Sequence, residues 1–339
     1  MSSSVSLLPG YHEPAITDSL TLFPLTLPPP AIVCTLFHLI YAFTLILDTM
    51  KLYPECGPCM LKRALMFCER EDDETRRKVV RELSKLYSIN FTSRWSTTKL
   101  AYERNRIVES ITGNKDPMKD IKRESFGVAW SIYPKLREYV DEILDDKERF
   151  MVALRIALAG NTLEFGARDH EPDLERLEDE LFRIVKENPA IDESEEVYRR
   201  VKECERILYV TDNAPEVVFD KLFIEELDRY AEIEIAPLSR PVQDDATVEE
   251  IKKAGLDDKH RITPRGDSIG VWFEKTGRDF CESWDGADLV IAKGMGCYET
   301  LADYPEKTEG KVVLLMRVKC LPVSRDVKAP LGSTVVKIM

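Results

Sequence analysis

Beyond Glu205 the apolar residues of this chain stop recurring at helical spacing and gather into short runs, at 207–210, 232–236, 288–292 and 312–316. Helical patterns at 215–228, 246–254 and 296–303 separate several of them. Strands that alternate with helices need crossover connections, and such connections build a largely parallel sheet. The last strand candidate, "STVVKIM", is short and is expected antiparallel at an edge. The expected class is therefore α/β, with a Rossmann-like C-terminal part.

The chain before that point is helical in pattern. Val79, Val80, Leu83 and Leu86 recur on one face of 72–88, and acidic residues fill its first turn. Ser96 is a cap and Gly113 a stop for a helix that presents Leu100, Ile107 and Ile111. Residues 116–144 give one long helix or two. The segment 147–160 is apolar enough to be buried, and 171–204 reads as a charged, solvated helix. The expected organisation is a leader over 1–49, a mainly helical part over 50–205 and an α/β part over 206–339.

Hydrophobic residues make up 44% of the 339, enough for a sizeable core. The net charge of −13 argues against a protein that coats nucleic acid, because phosphate neutralisation needs a basic face. A small phosphorylated ligand needs only a few local cations. Eight cysteines in so long a chain are too sparse for a disulfide scaffold and fit a reducing, cytoplasmic interior. The first basic residue is Lys51, so the basic start of a signal peptide is missing. Ala31 to Leu47 could just span a bilayer. The start-like "MKLYPECGPC" at Met50 points instead to a mis-assigned start, with a membrane anchor or an extra packed helix as the alternative. A membrane is not among the expected partners, and nothing in the sequence sets the oligomeric state.

Polar groups collect where strands or buried helices end. Asn161 and Glu164 follow the apolar segment 147–160; Asp212, Asn213 and Glu216 follow the first apolar run. Asp244, Asp245 and Thr247 precede a helix, Lys293 closes a strand before a Gly-x-Gly turn, and Arg317 and Lys319 end the fourth run. In parallel sheets ligands bind at the carboxyl ends of strands. Carboxylates with an amide oxygen are hard ligands suited to Mg²⁺ or Mn²⁺, and nearby lysines and helix N-termini would attract phosphate. Each piece has a plainer reading. Asp212 or Asn213 before Pro215, and Asp244 or Asp245, could be helix caps; Lys293 could be a snorkelling surface lysine. Cys56 and Cys59 form a Cys-x-x-Cys pair open to packing, metal or redox roles, with Cys68 a candidate third thiol. The four histidines form no cluster.

The ordered motifs "YPECGPCMLKRAL", "ALRIALAGNTLEFG", "ILYVTDNAPEVVFD", "RPVQDDATVEE" and "LVIAKGMGCYETL" resemble those of the DUF89 family, damage-control phosphatases of the ARMT1-like type. The chain is similar to its short, stand-alone archaeal members over residues 50–339. The resemblance implies a three-layer α/β/α Rossmann-like domain integrated with a helical N-terminal subdomain. It implies a divalent cation (Mn²⁺, Mg²⁺, Co²⁺ or Ni²⁺) on Asp212, Asn213 and Asp245. It implies a small phosphorylated metabolite as substrate, touched by Lys293, Lys319, Asn161 and Glu164. Asp212, Asp245 and Lys293 are the expected catalytic groups. The chain departs from the family pattern at Glu164, Pro215, Asp244 and Cys297. An S-adenosylmethionine-dependent carboxyl methyltransferase and a non-catalytic thiol or metal-binding protein are the rival functions.

Overall fold

The computed structural model of the chain describes residues 52–92, 95–161 and 174–339. The expectations for 1–49 and for Glu164 lie outside those residues. Seven strands form one sheet: β1 (Ile191–Asp192), β2 (Arg206–Val210), β3 (Glu232–Ala236), β4 (Arg261–Ile262), β5 (Leu289–Lys293), β6 (Val312–Arg317) and β7 (Thr334–Ile338). Their order is β1-β7-β6-β5-β2-β3-β4, and every pairing is parallel except β6–β7. β7 is antiparallel to β6 as expected, but it is not an edge. Ile191 and Asp192 pair with Val335 and Val336 and take the outside position.

Among the described residues, the helices are α1 (Cys56–Phe67), α2 (Asp73–Asn90), α3 (Thr97–Thr112), α4 (Lys119–Asp141), α5 (Asp146–Gly160), α6 (Leu174–Lys186), α7 (Ser194–Val201), α8 (Glu216–Leu227), α9 (Val248–Lys253), α10 (Arg278–Gly286), α11 (Gly294–Leu301), α12 (Pro305–Thr308) and α13 (Leu321–Val327). Ser96 caps α3 through the Lys99 amide, and Gly113 ends it in the left-handed conformation. The two-residue side-chain period sorts the strands into two cores. Ile207, Tyr209, Ile233, Ile235, Ile291 and Leu315 pack with α4, α5 and α8. Leu208, Val210, Val290, Ala292 and Leu314 pack with α10, α11 and α13. The result is three layers, α/β/α.

Helices α1–α3 carry small cores of their own. Polar pairs tie them to the sheet layers: Arg63–Gln243, Lys99–Asp303, Glu109–Arg240 and Glu55–Arg325. Residues 48–339 are one compact unit. Among the described residues no helix is long and apolar enough to cross a membrane.

Candidate functional site

From β2 the chain moves outward to β3 and β4 on one side, while β5 lies on the other. The carboxyl ends of β2 and β5 therefore flank the point where the strand order reverses, the usual place for a ligand crevice in such a sheet. Asp212 and Asn213 follow β2 there, and Lys293 ends β5.

Neither Asp212–Asn213 nor Asp244–Asp245 serves as a helix cap. The N-cap of α8 is Pro215, with no side-chain hydrogen bond. Thr247 caps α9 in a reciprocal box with Glu250, so Asp244 and Asp245 are free of that duty. Asn213 instead bridges Asp245 in an isolated antiparallel contact, and the Ala246 amide donates to the Asp212 carbonyl at 2.8 Å. The loop before α9 is thus laid against the end of β2, bringing Asp212, Asn213 and Asp245 together.

Buried partners fix these groups. The Asn161 amide nitrogen donates to Asp212 Oδ2 at 2.7 Å and to Glu216 Oε1 at 2.6 Å, and its oxygen accepts from the Arg317 amide. Asn161, expected to touch substrate, is 1% exposed and in this structure orients carboxylates. Asn213 Nδ2 also donates to Glu216 Oε1 and Asp212 Oδ2, which leaves its oxygen without a protein partner among the described residues. Arg265 donates to Asp245 Oδ2 at 3.1 Å and to the carbonyls of Ala236 and Gly270. Sequence reasoning missed Arg265; it lies in an irregular loop with no period to mark it.

Lys293 differs from expectation. The sequence places it on phosphate, or on the surface. The structure buries it completely and commits its ammonium to Asp220 Oδ1 (2.6 Å), the Ala157 carbonyl (2.9 Å) and Glu216 Oε2 (3.0 Å). Burial pulls this ammonium down, but Asp220 and Glu216 outweigh it and hold the group above the ordinary lysine range. Lys319 is exposed beyond β6, and its charge reaches Asp212.

The carboxylates repel one another. Burial, then Glu216 and Asp245, raise Asp212 well above the usual carboxylate range. Burial pushes Asp245 up to about 7 against the pull of Arg265. An oxygen-only, anionic donor set of this kind suits a hard divalent cation. Among the described residues no three His, Cys, Asp or Glu side chains converge as a ready ligand set. The set that the family resemblance implies consists of two carboxylates, Asp212 and Asp245, and the Asn213 amide oxygen. The thiols are not part of that set. Cys68 donates to carbonyls of its own helix, Cys56 is buried and Cys59 exposed. Cys297 is buried and pushed up to about 12 by that burial, so it stays a neutral thiol.

Gly294 makes the close approach possible. Its φ is 81°, and a Cβ added there would lie 2.0 Å from Asp212 Oδ2. Gly294→Ala should therefore displace Asp212. We expect a stability loss of about 1–3 kcal/mol and weaker Mn²⁺ binding, read from a melting curve and a calorimetric titration. Unchanged values would mean that Asp212 does not need this position.

The damage-control phosphatase ARMT1-like domain matches residues 52–335. The damage-control phosphatase PH1575 of Pyrococcus horikoshii is 32% identical over 295 residues, covering 84% of this chain and 97% of that protein. A damage-control phosphatase of Archaeoglobus fulgidus is 31% identical over 297 residues, covering 86% and 100%. The crystal structure of a DUF89 family protein from Pyrococcus horikoshii superposes with a TM-score of 0.78 at 30% identity, covering 85% of this chain and 99% of the other.

Proposed function

The chain belongs to the damage-control phosphatase ARMT1-like family, and from that premise we propose that it is a divalent-metal-dependent hydrolase of small phosphorylated metabolites. The observation that carries this reading is the release of Asp212 and Asp245 from capping and their convergence at the switch point of the sheet. Asp212, Asn213 and Asp245 would hold the cation. When bound, such an ion supplies Lewis-acid stabilisation of charge on a phosphate oxygen and acidifies a coordinated water.

The protein's own groups do the rest. Asn161 and Glu216 fix the rotamers of Asp212 and Asn213, turning the amide oxygen outward. Arg265 holds Asp245 to the backbone of neighbouring segments. Glu216 is unsuited to serve as a general base, because Asn161, Asn213 and Lys293 already occupy its two oxygens. Asp245, bonded by one oxygen to Arg265, is the better candidate to orient an attacking water. Lys319, exposed beyond β6, would meet phosphate charge at the rim, and the N-terminus of α11 opens on the same edge. Lys293 balances the carboxylates from behind.

Phosphate release from a panel of sugar phosphates, nucleotides and phosphopantetheine-like compounds tests the reading. We expect turnover of at least one class, lost in EDTA and restored by Mn²⁺ or Mg²⁺. Turnover that survives EDTA would refute the metal requirement, and no release from any class would refute the hydrolase.

A further inference from the structure

Helices α1–α3 enclose hydrogen-bond donors that the protein itself does not answer. Arg104, midway along α3, is 2% exposed. Its Nε and Nη2 both donate to Asn105 Oδ1, at 3.0 and 2.8 Å, and the Phe67 ring lies 5.4 Å from the guanidinium carbon. Among the described residues no carboxylate pairs with it and Nη1 has no acceptor. Asn105, with its oxygen given to Arg104, leaves Nδ2 buried without a partner. The Tyr87 hydroxyl is also buried and unpartnered, and it lies close enough to Arg104 to feel its charge. Burial, and then the charge of Arg63, hold Arg104 down to about 10.

Buried donors in native proteins nearly always find an acceptor. Two of them about one buried guanidinium that no carboxylate pairs with make a site short of acceptors and of negative charge. The place is joined to the catalytic edge by one side chain. Arg63 also donates to Gln243 Oε1 at 2.7 Å and stands 3.8 Å from Asp244, next to Asp245. Its side chain is 44% exposed, so this end is open to solvent.

We propose that Arg104, Asn105 Nδ2 and the Tyr87 hydroxyl, with Arg63 at the mouth, form a subsite for a second oxyanion of the substrate, a carboxylate or phosphate remote from the scissile phosphate. The proposal rests on the phosphatase reading for its substrate and narrows that substrate to phosphorylated metabolites with a further anionic group. Fork-shaped guanidinium donors and neutral N–H and O–H donors suit either oxyanion.

The first test is independent of turnover. Inorganic phosphate is titrated calorimetrically into the full chain in EDTA, for wild type, Arg104→Met, Tyr87→Phe and Lys319→Ala, with a melting curve for each. One equivalent should bind to wild type. Affinity should fall ~10-fold or more in Arg104→Met and measurably in Tyr87→Phe, and by less in Lys319→Ala than in Arg104→Met. Tyr87→Phe deletes a single oxygen and keeps the test decisive if Arg104→Met does not fold. Loss in Lys319→Ala alone would put the anion at the catalytic edge and overturn the subsite. No binding, or binding indifferent to Arg104 and Tyr87, would mean that water answers these donors, and would overturn it too. The second test compares 3-phosphoglycerate with glycerol 3-phosphate, which differ by one carboxylate. Wild type should favour the former in kcat/KM, and Tyr87→Phe should shrink that preference through KM. If phosphate binds as described but neither compound nor any of the panel is hydrolysed, the anion subsite stands and the phosphatase reading falls.

Discussion

Asp212→Ala is expected to reduce phosphate release by roughly 10³-fold, the scale of removing a stabiliser of transition-state charge, while the protein stays folded. The residue would contribute one of two carboxylates to a doubly charged ion, and neither water nor Asn213 replaces that charge. Calorimetric titration with Mn²⁺ should show the loss directly. In EDTA the variant should melt at or above the wild-type temperature. Burial, then Glu216 and Asp245, already disfavour a charge on Asp212, so its removal relieves crowding. A capping role would give the opposite pair of results, unchanged Mn²⁺ affinity and a loss of about 1 kcal/mol. The start of α8 at Pro215, without a side-chain bond, argues against that role. Equal Mn²⁺ affinity in the two proteins would nevertheless remove Asp212 from the ligand set.

How far this site can be read from sequence depends on which groups follow a period. Of the four long parallel strands, β2, β5 and β6 are legible as nearly continuous apolar runs and β3 as an alternating one, and Asp212, Asn213, Lys293 and Lys319 are legible because they end or follow such runs. β1 and β4 are two residues each and carry no period at all. That is why β7 reads as an edge while Ile191–Asp192 covers it. Residues 116–144 read equally as one helix or two because Pro134 interrupts them. α4 runs through it, since Phe126, Ala129, Ile132, Leu136 and Val140 bury one continuous stripe that offsets the ~3 kcal/mol cost of a proline in a helix interior. Partners in space leave less trace. Arg265 meets Asp245 across twenty positions that include α9 and β4, and Arg104, Asn105 and Tyr87 look like ordinary helix-surface residues. One signal was available. Glu216 and Asp220 stand four apart, on the same face of a helix whose neighbours are mostly apolar, and such a pair demands a buried cation. Its cation is Lys293.

Lys293→Met is accordingly expected to act first on stability. The change deletes the donor to Glu216 Oε2, Asp220 Oδ1 and the Ala157 carbonyl, all in a place without water contact. Breaking a buried ion pair from one side costs about 3–5 kcal/mol, because the remaining charge must be neutralised or solvated. Asp220 is already pushed up to about 6 by burial despite the attraction of Lys293, so without that lysine it would fold in its protonated form. Denaturant melts of Lys293→Met and of the double variant Lys293→Met/Asp220→Asn should then differ. The second should recover part of the loss, since it removes one of the two orphaned carboxylates. Phosphate release should fall in both, because Glu216 loses the bond that steadies it against Asn161 and Asn213. A lysine that served chiefly as a phosphate ligand would behave otherwise. Its methionine variant would melt like wild type and show a raised KM, and the Asp220→Asn change would rescue nothing. That outcome would return Lys293 to the role its position at the end of β5 first implies.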